Sequence, residues 1–493
     1  AMRTIIMYEL GVKYLGLNSL FTSILQVLNL AELGVGSAMV FSMYKPIAQE
    51  DSRTICALMK LYKIYYRLIG LVVLAAGLIL LPFIPKLIAG DVPDGINIYV
   101  LYLLNLMATV FTYWLFAYKN SILQAHQRQD VISKVTIVTD TCKYILQIGM
   151  LFSFHNYYYY VCVLLLSQIF NNILTALVSN KLYPQFQAEG KLPKETVKEI
   201  NQKIKDLFTS KLGFTIVSSA DTVVISAFLG LEALAIYQNY YYIVNAVIGF
   251  VTIIYSSITA GVGNSMIVCD TEKNYHDFQI FTFLACWILA FSVSCFSGLF
   301  QPFMKLWMGT DLLLPYPLVI LLCVYFWVYE YIMMASVYKD AGGIWHEDRF
   351  RPLISGLVNL SLNLLTVKFL GLYGIVLSTI VSMVVISAPW ITSNIFKLIF
   401  KRSAKEYVAK LGYYLFTAIV ATTVTNIGIK FIPDNGWLWF VVKAAVCVAV
   451  SNATIFLMMF RVQEFSDAVW LIARMFHAEK LVQKLKLNKE REK

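Results

Sequence analysis

The ionisable side chains that lie inside long apolar stretches of this sequence include Glu32, Asp140, Lys143, Asp221 and Glu330. If those stretches cross a membrane, each charge costs about 2.5 to 3.5 kcal/mol even on the lenient insertion scale. Such groups therefore face a bundle interior or a water-filled cavity. Carboxylates in that setting suit the binding of a proton or a cation.

Glu32 lies beside Gly34 and Gly36, which permit close helix approach or a local break. A functional interpretation makes it a protonatable coupling group or a ligand for a coupling cation. A structural interpretation makes it the partner of a nearby arginine or the cap of a broken helix. The residues alone leave both open.

The other polar groups carry similar alternatives. Asp140 and Lys143 are three residues apart on one helix face, which favours a structural ion pair. Asp221 stands among small hydroxyl residues in "VSSADTVVIS", and Glu330 stands among aromatics, which favours a buried, protonated acid. Asn239, in "YQNYYYIVN", would suit sugar hydroxyls if it faces a cavity, whereas helix packing explains it equally well.

Five cations lie near the inner ends of the apolar stretches: Arg3, Lys45, Arg67, Lys211 and Arg351. Most cations in such places only mark topology and extend to the membrane surface. At a cavity wall, however, arginine and lysine are the natural partners of a phosphate or pyrophosphate. The five are therefore candidate phosphate ligands.

The composition explains why these groups are few. Hydrophobic residues make up 59% of the 493 residues and charged residues 14%, and the mean hydropathy is +0.68. Runs such as "LIGLVVLAAGLILLPFI" do not alternate as barrel strands would, so the fold class is an all-α polytopic membrane protein. Thirteen apolar spans are predicted, at 17–44, 66–88, 98–118, 131–154, 157–179, 206–229, 234–265, 278–304, 313–338, 352–368, 372–396, 411–432 and 437–460.

Residues 1–10 hold too few apolar positions to span, so we expect them to be part of a first helix, giving 14 helices in the intact protein. If this first helix leaves the cytoplasm, 32 of the 40 lysines and arginines fall in inner loops and five in outer loops. This asymmetry predicts a cytoplasmic C-terminus. It also accounts for the net charge of +11 without nucleic acid.

Signs of catalysis or of a resident cofactor are lacking. The eight cysteines include no C-x-x-C pair, the five histidines have no zinc-ligand spacing, and there is no Walker sequence. No catalytic residue, metal or cofactor is predicted. The function is expected to be transport within the membrane.

Weak echoes relate two halves of the chain: "YLGLNSL" (14–20) with "FLGLEAL" (228–234), and "GVGSAM" (34–39) with "GVGNSM" (261–266). They predict two repeated six-helix lobes, an arrangement common in transporters. The predicted domains are an N-terminal lobe (1–180), a cytoplasmic linker (181–205), a C-terminal lobe (206–400), two extra helices (401–460) and a basic cytoplasmic tail (461–493).

The stretch "YELGVKYLGLNSLFTSILQVLNLAELGVGSAMVFSMYKPIAQED", followed by "LMKLYKIYYRLIG", resembles the Wzx-type polysaccharide repeat-unit flippases of the multidrug, oligosaccharidyl-lipid and polysaccharide exporter superfamily. "ADTVVISAFLGLEALAIYQNYYYIVNAV" resembles the start of that family's second half. The resemblance implies two lobes around a central cavity, alternating access and an oligosaccharide on undecaprenyl pyrophosphate as substrate. It also implies that Arg3, Lys45 and Lys211 hold the pyrophosphate and that Asp221 and Asn239 mark cavity-lining helices.

The expected function is therefore a glycan flippase of the bacterial plasma membrane, serving O-antigen, capsule or exopolysaccharide synthesis. The expected partners are the lipid-linked glycan, membrane lipids and polysaccharide polymerase machinery, with proton or sodium coupling as the candidate driving force. One alternative is a cation-coupled multidrug exporter, which would have a cavity dominated by carboxylates and aromatics. A membrane-embedded polymerase or ligase would generally need a large outer loop, and none is predicted here.

Overall fold

The computed structural model describes residues 2–32, 34–93, 95–434 and 436–475. Within those ranges it leaves undescribed the side chains of 31, 206, 207, 209–211, 213, 214, 216–218 and 260. Every regular element in the described part is helical, as predicted. The helices are α1 (Met2–Glu9), α2 (Val12–Leu28), α3 (Val35–Ala48), α4 (Ser52–Leu80), α5 (Ile98–Trp114), α6 (Tyr118–Ala125), α7 (Gln129–Phe154), α8 (Tyr157–Leu182), α9 (Lys194–Val268), α10 (Thr271–Met308), α11 (Tyr316–Ala341), α12 (Arg351–Leu370), α13 (Leu372–Ser382), α14 (Ala388–Asn394), α15 (Lys405–Ile429), α16 (Trp437–Met459) and α17 (Gln463–Met475).

Polar caps define where several of the apolar helices begin. Asp51, Asn97, Asn156 and Asp270 each precede a helix and accept hydrogen bonds from its first-turn backbone N–H groups. Asn97 serves two of these donors, on Tyr99 and Val100. Because the first four N–H groups of a helix have no intrahelical partner, a polar residue just ahead of an apolar run fixes its start.

Three helices are interrupted. The predicted span 17–44 divides into α2 and α3, joined by the 3₁₀ turn Asn29–Glu32 and by Gly34 at φ +89°. The axes of α5 and α6 differ by 55°, with Phe116 at φ +58° between them. Within α9, Gly230 has φ +90°, and a Cβ there would lie 2.8 Å from the Ala89 carbonyl oxygen, so only glycine fits.

These interruptions explain the number of spans. By length and composition the described residues contain ten membrane-crossing helices, or eleven if α5 and α6 form one bent span. Thirteen were predicted. The difference arises because α2 and α3 are each too short to count, and because Ser219–Val268 counts as one stretch although its helix breaks at Gly230, between the predicted spans 206–229 and 234–265.

The chain divides into two compact units. The first comprises Ala1–Gln238 and Pro352–Leu372, and the second comprises Asn239–Arg351 and Tyr373–Lys493. This division follows packing, whereas the predicted lobes followed a sequence repeat, so the predicted domain boundaries stay a prediction. The second unit has an apolar core in which α10, α15 and α16 pack together, and α17 adds Ala468 to it.

Candidate functional site

The first unit encloses a polar cavity of about 790 Å³. A volume of this size is typical of small-molecule sites. Its wall combines carboxamides, hydroxyls, aromatic rings and one carboxylate. The lining residues are Asn29, Glu32, Gly36, Ser37, Val40, Phe41, Tyr44, Tyr62, Tyr66, Thr112, Tyr113, Phe116, Ala117, Asn120, Ser121, Gln124, Ile132, Thr136, Asn171, Asn172 and Thr175.

Two of the interrupted helices form part of this wall. The turn between α2 and α3 contributes Asn29 and Glu32, and the bend between α5 and α6 contributes Phe116 and Ala117. A break frees backbone carbonyls that need partners in an apolar setting. The Asn172 amide is such a partner, because its Nδ2 donates to the Thr112 carbonyl oxygen at 3.1 Å. Discontinuous helices of this kind commonly form the binding sites of transporters.

Three tyrosines position the Glu32 carboxylate. The Tyr66 hydroxyl donates to Oε1 at 2.6 Å and the Tyr113 hydroxyl donates to Oε2 at 3.1 Å. Tyr62 in turn donates to the Tyr66 hydroxyl at 2.8 Å. The Tyr62 and Tyr66 rings pack edge to face with centroids 4.3 Å apart, which fixes the chain of donors. Both carboxylate oxygens thus accept hydrogen bonds while Glu32 still borders the cavity.

Gly36 makes room for this cluster. A Cβ at this position would lie 3.1 Å from the Tyr62 hydroxyl and 3.3 Å from the Tyr66 hydroxyl. Because α3 carries no side chain there, both phenols can reach past it toward Glu32. The glycine next to the carboxylate is therefore explained by space for its hydrogen-bond donors.

The electrostatic character of the cavity follows from its described lining residues, which include one acid and no lysine, arginine or histidine. Lys203 is a nearby cation: its Nζ lies 4.8 Å from the centroid of the Phe41 ring. Lys203 thus lies against a ring that borders the cavity and is not itself among the lining residues. A ligand in the cavity would meet one carboxyl group and many neutral hydrogen-bonding groups.

None of the predicted phosphate-binding cations whose side chains are described lines this cavity. Lys45 and Arg67 are exposed on α3 and α4. Arg3 lies on α1, which packs against α2 and α7, and interacts electrostatically with Tyr160. The side chain of Lys211 lies outside the described residues. Their role as phosphate ligands stays a prediction.

Arg351 is buried and already has a strong partner. Its Nε and Nη2 donate to the two carboxylate oxygens of Asp348 at 2.6 and 2.9 Å. Lys339 Nζ lies 3.8 Å from the same carboxylate. A phosphate could use the Arg351 guanidinium only by sharing or replacing this bidentate pair.

The predicted pairing of Asp140 with Lys143 is confirmed, with Nζ and Oδ1 2.6 Å apart. Asp221 accepts a hydrogen bond of 2.6 Å from the Asn363 amide of α12. Asn363 also donates to Asn359 at 3.3 Å, and both asparagines are fully buried. Asp221 is therefore part of a polar cluster within the first unit.

The second unit contains two of the polar residues singled out in the sequence. Asn239 is fully buried. Glu330 on α11 is also fully buried, and neither carboxylate oxygen has a hydrogen-bond partner among the described residues. The Tyr255 hydroxyl lies beside it. Nowhere in the described part do three or more His, Cys, Asp or Glu side chains converge as metal ligands would.

The sequence model of the family described as polysaccharide biosynthesis protein matches residues 5–259, which is more than half of the chain and includes every residue of the polar cavity. The chain belongs to this polysaccharide biosynthesis protein family. No match to a curated protein sequence was found.

The fold of this family member is similar to that of solved flippase and transporter structures. It is similar to the lipid II flippase MurJ in an inward closed conformation, with 13% identity, a TM-score of 0.66 and coverage of 93% of this chain and 96% of that one. An outward-facing multidrug resistance MATE family transporter has 15% identity, a TM-score of 0.51 and coverage of 81% and 95%. A superfamily transporter from Pyrococcus furiosus, whose binding pocket is described as having reverse polarity, has 14% identity, a TM-score of 0.52 and coverage of 81% and 91%.

Sequence reasoning identified Glu32 in this family member and missed most of the residues around it. Tyr62 and Tyr66 are four apart, as are Asn120 and Gln124, so each pair shares one helix face. Asn171 and Asn172 stand next to each other in the apolar run of α8. Polar residues at helical spacing inside apolar runs were the available signal.

Proposed function

We propose that this chain is a flippase that moves oligosaccharide repeat units, linked to undecaprenyl pyrophosphate, across the bacterial plasma membrane by alternating access. The units would serve O-antigen, capsule or exopolysaccharide synthesis. The observation that carries the proposal is a large polar cavity enclosed by apolar helices, within the residues that match the polysaccharide biosynthesis family. The similarity of fold to a lipid II flippase supports it.

In this proposal different groups hold the two parts of the substrate. The inner cations Arg3, Lys45 and Lys211, with Arg67 and Arg351, capture the pyrophosphate, since arginine binds phosphate bidentately and lysine acts as a point charge. Neutral polar walls bind the sugars, and the polyprenyl tail stays in lipid. The C-terminus is cytoplasmic, and polysaccharide polymerase machinery takes up the product.

The driving force in this proposal is a proton or sodium gradient. Glu32 and Asp221 are the candidate coupling groups because each is a carboxylate among neutral polar groups within a membrane protein. Asn359 and Asn363 add amide oxygens near Asp221, which suit a hard cation. Consumption of the product outside would be an alternative driving force.

A cation-coupled drug exporter is the second candidate. One observation favours it: the described lining of the polar cavity has a carboxylate and several aromatic rings but no cation. This is the composition expected of an exporter of cationic drugs. A direct assay of both substrates separates the two candidates.

The test is transport by the full chain reconstituted in liposomes. Fluorescent undecaprenyl-pyrophosphate glycans measure flipping, and a fluorescent organic cation measures drug export under a proton or sodium gradient. We expect glycan flipping, reduced at least tenfold in Arg3→Ala and Lys45→Ala. Lys134→Ala is the matched control, because Lys134 is an exposed cation whose ion pair with Asp130 lies on the surface.

Two results would contradict these assignments. Unchanged flipping in both Arg3→Ala and Lys45→Ala would remove these residues from pyrophosphate binding while leaving the flippase intact. Gradient-driven export of the organic cation without glycan flipping would replace the flippase with the exporter.

A further inference from the structure

The chemistry of the polar cavity is specific enough to name the ligand it would accept. We propose that the cavity binds the saccharide part of the transported glycan and selects neutral or amino-bearing sugars over acidic ones. This inference rests on the proposed flippase function. It adds a binding site and a substrate preference that the function alone does not supply.

The neutral polar groups favour a saccharide. Five carboxamides border the cavity: Asn29, Asn120, Gln124, Asn171 and Asn172. A carboxamide offers both donors and an acceptor, so it can bind two neighbouring hydroxyl groups of one sugar ring. Five hydroxyl side chains add further donors and acceptors: Ser37, Thr112, Ser121, Thr136 and Thr175.

The aromatic rings favour the same ligand. Phe41, Tyr44 and Phe116 border the cavity and are exposed. A sugar has apolar C–H faces as well as hydroxyl edges, and aromatic side chains combine an apolar body with, in tyrosine, a polar tip. Ligand sites with apolar walls and a few directional polar groups have this general character.

The charges determine which saccharides fit. Glu32 is held at the cavity wall by hydrogen bonds from Tyr66 and Tyr113, so its carboxylate is fixed in place. Among the described residues, no cation borders the cavity to offset it. A uronic or sialic acid would bring a second negative charge into this space, and like charges at short range repel. A neutral sugar avoids that repulsion, and the ammonium of an amino sugar would be attracted to Glu32.

The experiment compares three synthetic polyprenyl-pyrophosphate disaccharides that differ only in one sugar: a neutral hexose, an amino sugar and a uronic acid. Binding to the full chain in lipid nanodiscs is measured by calorimetry, and flipping of the same compounds is measured in liposomes. We expect the wild type to bind the uronic acid compound at least tenfold more weakly than the other two. The corresponding free disaccharides show whether the preference belongs to the sugar or requires the lipid.

Two variants test the site. Glu32→Gln keeps the size of the side chain and removes its charge, so the preference against the uronic acid should fall to within about threefold. Asp130→Asn is the matched control, because it makes the same change at an exposed carboxylate on α7 outside the cavity lining. Thr136→Phe places a ring in the cavity and should weaken binding of all three compounds at least tenfold.

Some outcomes would overturn the inference. If the wild type binds the three compounds equally, or if Glu32→Gln leaves the preference unchanged, the cavity does not select sugars by charge. Full binding of all three compounds to folded Thr136→Phe protein would show that they bind elsewhere. Flipping would continue in each of these cases, whereas failure of the proposed function would appear as no flipping of any compound.

Discussion

Two glutamates in apolar stretches of the sequence, one in each unit, have opposite surroundings. Glu32 borders a polar cavity in the first unit and accepts hydrogen bonds from two tyrosines. Glu330 is fully buried in the second unit beside the Tyr255 hydroxyl, and neither of its carboxylate oxygens makes a hydrogen bond of ordinary geometry to a described residue. The same side chain thus has two well-placed donors in one place and one poorly placed neighbour in the other.

The contrast teaches that position in an apolar helix does not decide what an acid does. An ionised carboxylate needs donors or water, because desolvation without compensation is costly. Glu32 has both a polar cavity and hydroxyl donors, so it can remain charged and meet a ligand. Glu330 is fully buried and borders no polar cavity among those found in the described residues, which suits a structural role.

The largest expected effect is a difference in folding stability when a lysine replaces Glu330 or Glu32. Glu330→Lys puts a longer, cationic side chain into a closed site, so we expect a loss of about 3 kcal/mol or more in the free energy of unfolding. Glu32→Lys points into an open cavity and should cost much less. The yield of monodisperse protein in detergent and its thermal unfolding measure both, and equal yields would contradict the contrast.

A milder exchange gives the second prediction. Glu32→Gln weakens hydrogen bonds to a charged acceptor and should reduce the free energy of unfolding by about 1 to 2 kcal/mol. Glu330→Gln keeps the size and polarity of a buried side chain that has no well-placed donors to lose, and should change it by less than about 1 kcal/mol. Thermal unfolding of the two variants beside Asp130→Asn tests this order. A larger loss for Glu330→Gln would show that the buried acid has an essential partner.

The fold class was predictable because it depends on the amount and spacing of apolar residues, which the sequence displays directly. The interruptions were less accessible. Residues 17–44 read as one span because apolar residues stand on both sides of the break, although Gly34 and Gly36 indicated that a break was possible. Mean hydropathy over a window does not reveal such a turn, because the turn depends on the backbone conformation of a single glycine.

The site was predictable only in part for a similar reason. Glu32 stands out because a charge in an apolar run is rare. Its donors Tyr66 and Tyr113 do not stand out, because the chain has 31 tyrosines and a tyrosine fits most positions on a helix. The Arg351 pair illustrates the converse: Asp348, three residues earlier, was visible in the sequence, but only the structure shows that the two side chains form a bidentate contact.

The third prediction tests whether the tyrosine cluster depends on Gly36. Gly36→Ala would bring a methyl group to about the contact limit of two hydroxyls, so we expect a loss of about 1 kcal/mol and weaker ligand binding. Gly149→Ala is the matched control, because this glycine lies in α7 with nothing within 4 Å of its Cβ position. Gly149→Ala should leave the free energy of unfolding unchanged or raise it by up to about 1 kcal/mol. If Gly36→Ala and Gly149→Ala had equal effects on ligand binding, the tyrosine cluster would tolerate displacement.

The smallest effect concerns a carboxylate in water, which serves as a reference for Glu32. Asp51 caps α4 by accepting hydrogen bonds from the Thr54 hydroxyl at 2.6 Å and the Thr54 N–H at 3.1 Å. The hydroxyl bond is the main cause that lowers the pKa of Asp51 below its usual 3.8. Because the folded pKa is the lower one, the cap stabilises the protein fully above pH 3.8 and loses that contribution as the pH falls through the lowered value.

Asp51→Asn should therefore reduce thermal stability slightly at neutral pH and bring no change at a pH below both pKa values, because asparagine also caps helices and does not titrate there. Thermal unfolding of both proteins at the two pH values measures the difference. The same stability difference at both pH values would show that the charge of Asp51 does not contribute to stability. Asp51 and Glu32 both accept hydroxyl hydrogen bonds. If Asp51→Asn lowers stability only slightly and Glu32→Gln lowers it strongly, the difference comes from the cavity around Glu32.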